Sequence, residues 1–108
     1  MRCFASLRRR ADFARLRQRG RRVATETLTV YRADAQPGDA SSLVGIAVGT
    51  PIGKAVVRNK VRRRLVSILD DALAQRRSMR LLVVARPAAA AAAFGSLRAD
   101  LYRALGPA

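Results

Sequence analysis

The sequence contains no histidine, no tryptophan and one cysteine, Cys3. With a single thiol no internal disulfide can form, which suits a reducing compartment such as the cytoplasm. A zinc site needs several Cys or His ligands, so none is expected. A triad built on a histidine base is excluded. Acids are scarce, seven Asp and Glu against 22 Lys and Arg, and they are scattered along the chain. No pair is placed for two-metal chemistry, and no residue reads as catalytic. No hydrophobic run is long enough to cross a bilayer. The opening MRCFASL is too short for a signal-peptide core before Arg8-Arg9-Arg10. An Arg-rich, acid-poor start also suits an organelle transit peptide, but the same residues read well as part of a domain.

What is present is positive charge on a chain that can fold. The 108 residues suffice for one small domain with one core, and half of them are hydrophobic, so this is not a disordered basic tail. A net charge of +15 costs stability through self-repulsion, and a polyanionic partner is the usual offset. Nucleic acid is the first candidate and an anionic membrane the second. Lys54 and Lys60 are the only lysines. Arginine forks pair with phosphate at two points and stack on bases.

Along the chain, residues 1–10 read as a flexible basic arm. Residues 11–19 read as a short helix stopped by Gly20. Residues 22–32 alternate like a strand, with a possible break near Glu26. Leu28 and Val30 face a core, while Thr27, Thr29 and Tyr31 face a wetter side. A polar loop holds Pro37-Gly38. In the next strand, LVGIAV, Gly45 and Ala47 leave one face bare. Either another element packs closely there or the face is a shallow channel beside Thr29 and Tyr31. A long helix spans about 54–75, with Val57, Val61, Leu65, Ile68 and Ala72 on one stripe. LLVVA at 81–85 reads as a strand covered on both sides. A final helix from about 88 to 105 carries Phe94, Leu97, Leu101 and Leu105 on one stripe, with the polyalanine run at its start as helical filler. The order is α, one or two β, β, α, β, α: an α+β domain over residues 1–108 with a mixed sheet.

The long helix begins in PIGKAVVRNKVRRRLV, which holds six cations: Lys54, Arg58, Lys60, Arg62, Arg63 and Arg64. Like charges four apart destabilise a helix by a few tenths of a kcal/mol per pair. No acid lies between Asp39 and Asp70 to dilute them. Phosphate binding explains such a face better than simple solvation does. Asn59 adds donors and an acceptor suited to a ribose hydroxyl or base edge. Arg64 points toward the apolar side, where it snorkels.

GKAVVRNKVRRRL resembles the signature of the bacterial ribonuclease P protein component. LRRRADFARLRQRG, with Asp12-Phe13 and Gly20, resembles that family's first helix. LTVY, ending at Tyr31, and LLVVARPAA resemble two of its strands, so nearly the whole chain is covered. The resemblance implies an αβββαβα fold with a four-stranded mixed sheet, two layers and a left-handed βαβ crossover. It implies an accessory subunit with no catalytic or metal-binding residue of its own. The catalyst would be a large RNA that removes the 5′ leader of precursor tRNA, with Mg²⁺ bound mainly by the RNA. Arg58, Asn59, Lys60, Arg62 and Arg63 would meet that RNA. Phe13, Arg17, Tyr31 and Ala47 would hold the single-stranded leader. No membrane and no obligate protein partner is implied. A ribosomal-protein-like RNA-binding module is the alternative. Three departures stand out: Gly49-Thr50-Pro51 replaces a basic run, Arg17 stands where an aromatic is usual, and Val66 replaces an arginine. Val66 is expected as an exposed aliphatic in the middle of the cationic face.

Overall fold

The computed structural model describes residues 2–107. Its elements are β1 (Phe4–Ser6), α1 (Arg10–Arg19), β2 (Arg21–Ala24), β3 (Leu28–Asp34), β4 (Ser42–Ala47), α2 (Ala55–Leu73), β5 (Met79–Ala85) and α3 (Phe94–Leu105). Short 3₁₀ turns lie at Thr50–Ile52 and Pro87–Ala90. The strands form one mixed sheet in the order β1-β4-β5-β3-β2. The α+β class expected from the sequence is the one observed, with five strands rather than four.

The additional strand corrects the reading of residues 1–10 as a flexible arm. β1 pairs in parallel with β4, Phe4 opposite Ser42 and Ser6 opposite Val44. The Leu7 N–H continues the ladder to the Val44 carbonyl at 3.0 Å. Phe4 and Leu7 are buried, and they are the anchor that an arm would lack. Three residues flanked by cations are too short for alternation to show in the sequence. The segment is also tied to α2, because the Cys3 N–H donates to Asp70 Oδ1 at 2.8 Å. That hydrogen bond holds the Asp70 carboxyl below its usual range.

Docking of β1 also explains Val66. Rather than lying exposed among the cations, it is half-buried, packs against the core and shares a cleft with Phe4. Arg2 and Arg62 line the same cleft, and the Arg2 guanidinium lies 5.9 Å from the Phe4 ring centroid.

Leu28, Val30, Leu81 and Val83 point to one side of the sheet, where α2 and α3 cover them. Val61, Leu65, Ile68 and Ala72 of the expected α2 stripe are buried there, and Val57 is half-buried. Leu97, Leu101 and Leu105 do the same from α3. Each such Leu or Ile side chain stabilises by about 1.5–3 kcal/mol relative to exposure. Phe94 does not join them. It opens α3 and is exposed. The polyalanine run is not the start of that helix. Pro87 sets a 3₁₀ turn, and Ala89 is buried in the core. Tertiary packing here overrides alanine's high helix propensity.

The break near Glu26 is real, separating β2 from β3. Thr27, expected on the wet face, is buried. Its hydroxyl donates to Asp100 Oδ2 at 2.5 Å, and its N–H donates to the same oxygen at 3.2 Å. These bonds, the hydroxyl's foremost, keep the Asp100 carboxyl below its usual range despite burial. Gly20 ends α1 with extended backbone, and a Cβ there would collide with the Leu16 carbonyl oxygen. Close approach, not a left-handed turn, is why glycine occupies this position.

Phe4→Ala is expected to lower unfolding stability by about 3 kcal/mol in urea denaturation, the low end for such truncations. A change under about 0.5 kcal/mol, typical of surface positions, would restore the mobile arm.

Candidate nucleic-acid interface

The cations of α2 divide by what their guanidiniums already hold. Arg58 Nη1 donates to the Gly53 carbonyl at 2.8 Å, bracing the turn into the helix. Arg62 Nη1 donates to the Ile46 carbonyl at 3.1 Å, beyond the point where β1 stops pairing with β4. Arg64 Nη1 reaches the Ala92 carbonyl at 3.1 Å, consistent with its expected tilt toward the apolar side. Each bond uses one of five N–H donors, so these side chains are oriented rather than consumed. Asn59, Lys60 and Arg63 are exposed, and none has a hydrogen-bond partner among the described residues. They lie three, four and seven residues from Val56, and so share its side of the helix. Val56 is 78 % exposed. Sequence reasoning passed over it because a single valine among cations gives no pattern.

The second zone is the sheet face away from α2 and α3. Registration across strands places Tyr31, Leu82 and Gly45 in one row and Thr29, Val84 and Ala47 in the next. α1 lies over the first row, with Leu16 buried against Leu82 and Phe13 and Tyr31 half-buried beside them. Phe13 sits directly on Gly45, and a Cβ at that glycine would overlap the ring. The bare face of β4 is therefore bare at Gly45 because a side chain packs there, and at Ala47 because nothing large covers it. Thr29, Val84 and Ala47 remain half-exposed as a floor. Phe13, Tyr31 and Ala47 are thus brought to one face, while Arg17 is exposed on α1. Arg22, opposite Tyr31 on β2, joins the same face as an exposed cation that sequence reading did not single out.

The two zones are continuous. β4 runs from Ala47 through the Thr50–Ile52 turn into α2. A cleft of about 340 Å³ connects Phe13 and Gly45 with Arg62 and Arg2 around the β4 edge. The described acids do not create a metal site here: no group of three His, Cys, Asp or Glu converges among the described residues.

Besides Leu16 and Phe13, one guanidinium fastens α1 to the sheet. Arg80 on β5 donates to Asp12 Oδ1 at 3.1 Å and to Asp39 Oδ2 and Oδ1 at 2.9 and 3.0 Å. Asp12 precedes Phe13, so the pair acts as one fastening: an ion pair to β5 and a ring on β4. Asp39 belongs to the polar loop after β3. The Arg80 hydrogen bonds, helped by the Gln36 N–H, pull its carboxyl from 3.8 to about 2.

A cationic helix joined to a half-open sheet face defines a class: small, basic α+β proteins. Comparison with known proteins narrows the class. The family model for ribonuclease P matches residues 1–108. The ribonuclease P protein component of Acidothermus cellulolyticus is 44 % identical over 101 residues, covering 93 % of this chain and 84 % of that protein. The Streptomyces avermitilis component is 41 % identical, covering 92 % and 87 %. The Staphylococcus aureus RNase P protein superposes with a TM-score of 0.82 at 26 % identity, over 93 % of this chain and 91 % of that one. The Thermotoga maritima protein, solved with 1-(4-fluorophenyl)-2-thiourea, gives 0.76 at 26 % identity, over 88 % and 92 %. The chain belongs to the bacterial ribonuclease P protein component family.

The Asp39 carboxyl is more acidic folded than unfolded. Its stabilisation is therefore full above about pH 4 and disappears as pH falls through about 2. Thermal unfolding followed across that window should show a steep loss for the wild type and a flatter one for Asp39→Asn, which starts lower at neutral pH. Parallel curves would mean that Arg80 does not hold Asp39 in solution. Gly45→Ala should displace Phe13 and loosen α1, raising hydrogen exchange in α1 more than in α2.

Proposed function

We propose that this chain is the RNA-binding accessory subunit of ribonuclease P, assisting a catalytic RNA in removing the 5′ leader from precursor tRNA. The observation that carries the proposal is the shared face of Phe13, Tyr31 and Ala47, open beside α1 and continuous with the cationic start of α2. On this reading Asn59, Lys60 and Arg63, with the free donors of Arg58 and Arg62, meet phosphates and sugars of the RNA subunit. Neutralising those phosphates allows two RNA surfaces to approach. The floor of Thr29, Val84 and Ala47 receives the single-stranded leader. Tyr31 and the exposed part of Phe13 offer faces for stacking, and Arg17 and Arg22 offer charge to the backbone. Stacking contributes about 1–3 kcal/mol per base and tolerates any sequence, as a subunit serving many leaders requires.

The chain contributes no catalytic group. On this reading phosphodiester hydrolysis falls to the RNA, with Mg²⁺ held mainly by that RNA; of the described acids, Asp12 and Asp39 are engaged by Arg80 and Asp100 by Thr27. No described helix is long and apolar enough to cross a membrane, and a cytoplasmic setting accords with tRNA processing. The ribosomal-type alternative gives no reason for an aromatic and a bare sheet face beside the helix.

The direct test is cleavage of a 5′-labelled precursor tRNA at low Mg²⁺ by a bacterial ribonuclease P RNA, with and without the protein. Restored cleavage at the mature 5′ end is expected. Tight RNA binding without stimulation of a cognate RNA would favour the ribosomal-type reading. Tyr31→Ala should weaken precursor tRNA binding while sparing mature tRNA, and equal losses would remove the leader from this face. Arg63→Ala should lower the salt slope of RNA binding by roughly one. Arg63 is a cleaner probe than Arg58, whose loss also frees the Gly53 carbonyl.

A further inference from the structure

A second cationic surface lies at the far end of α2, and the reading above does not use it. Arg19 ends α1, Arg21 opens β2, Arg32 lies on β3, and Arg76 and Arg77 follow α2. They line two adjoining grooves of about 450 and 500 Å³ that share Arg32, Asp34 and Met79. Among the described residues Asp34 is the only acid in either groove, so five guanidiniums face one described carboxylate.

Two of the five have a structural duty. Arg32 Nη1 donates to the Leu105 carbonyl, and Arg76 Nη1 donates to the Gly106 carbonyl at 2.7 Å. Both cap the end of α3, where carbonyls lack helical partners. Arg76 is further held with its guanidinium 5.8 Å from the Tyr102 ring. Capping needs only these two. Arg19, Arg21 and Arg77 are exposed and make no ion pair or side-chain hydrogen bond among the described residues. Asp34 accepts from none of them. The fold thus fixes two forks by one donor each and gathers three free ones beside them. Such a cluster is self-repelling without an anion.

We propose that these grooves are a second contact for an RNA phosphodiester backbone, separate from the α2 stripe. From Arg63 to the end of α2 at Leu73 is ten residues, about 15 Å of helix. The two surfaces therefore sit too far apart for a single phosphate cluster, but suit two segments of one folded RNA. The concave shape favours a strand over a bilayer, which would reach only the groove rims. The proposal takes its class of partner from the function inferred above and adds a surface to it.

The test uses the full chain and an in vitro transcribed bacterial ribonuclease P RNA, with affinity measured over a range of monovalent salt. The variants are Arg21→Ala with Arg77→Ala, both exposed, and thermal unfolding checks that the double variant folds. The salt slope should fall by roughly two. The pair Arg98→Ala with Arg103→Ala removes the same charge from the surface of α3 and should leave the slope nearly unchanged. Equal drops in both double variants would assign the effect to net charge and overturn the proposal. An unchanged slope for Arg21→Ala/Arg77→Ala, with a reduced slope for Arg63→Ala, would remove the second surface alone. No change in any variant would also remove RNA binding by α2. If the Arg21/Arg77 variant instead loses binding to phosphatidylglycerol vesicles with its RNA slope intact, the grooves face lipid and the proposal fails.

Discussion

Arg80 lies between two carboxylates on the sheet, and the candidate leader-binding face depends on that arrangement. Without Asp12 bound to it, α1 would be held mainly by Leu16 and Phe13. Without Asp39 bound to it, the loop after β3 would have no side-chain anchor on β5. The guanidinium is mostly covered, so its attraction to both carboxylates is screened less than in water. It is also geometrically specific, a fork with separate donors for separate acceptors. Phe13 on Gly45 adds a steric lock. Together they fix α1 over one row of the sheet and leave the neighbouring row open.

The same economy governs the other arginines. A chain with this much positive charge has few acids to pair with, and carbonyl oxygens take their place. Gly53, Ile46, Ala92, Leu105 and Gly106 each accept a guanidinium N–H. These bonds satisfy helix ends, an open strand edge and a turn, which are the backbone positions with unused acceptors. A guanidinium remains charged while making such a bond. A structural role and the proposed polyanion-binding role are therefore compatible in Arg58, Arg62, Arg32 and Arg76, whereas the side chains of Asn59, Lys60, Arg63, Arg21 and Arg77 have no hydrogen-bond partner among the described residues.

Val66 shows how an aliphatic residue within a cationic stretch can belong to the core. Against the cationic signature it reads as a missing phosphate contact. In the fold it is half-buried beside Phe4, at the place where β1 docks along α2. Asn59, Lys60 and Arg63 remain exposed on the same helix.

Long-period features were legible from the sequence alone. The stripes of α2 and α3, the buried run of β5 and the break near Glu26 depend on regular spacing of apolar residues, and burial enforces that spacing. The order of α1, β4 and α2 and the cationic side of α2 followed from the same patterns. Tertiary structure decided what depends on partners distant in sequence. β1 exists because β4 offers an edge, and three residues carry no periodic signal of their own. Thr27 turned inward because Asp100 waits there, and Ala89 became core because Pro87 set a tight turn. Gly45 alone could not say whether it made room for a ligand or for Phe13. Composition and periodicity determine which faces must be buried, but which arginine reaches which carbonyl is settled only when distant segments meet.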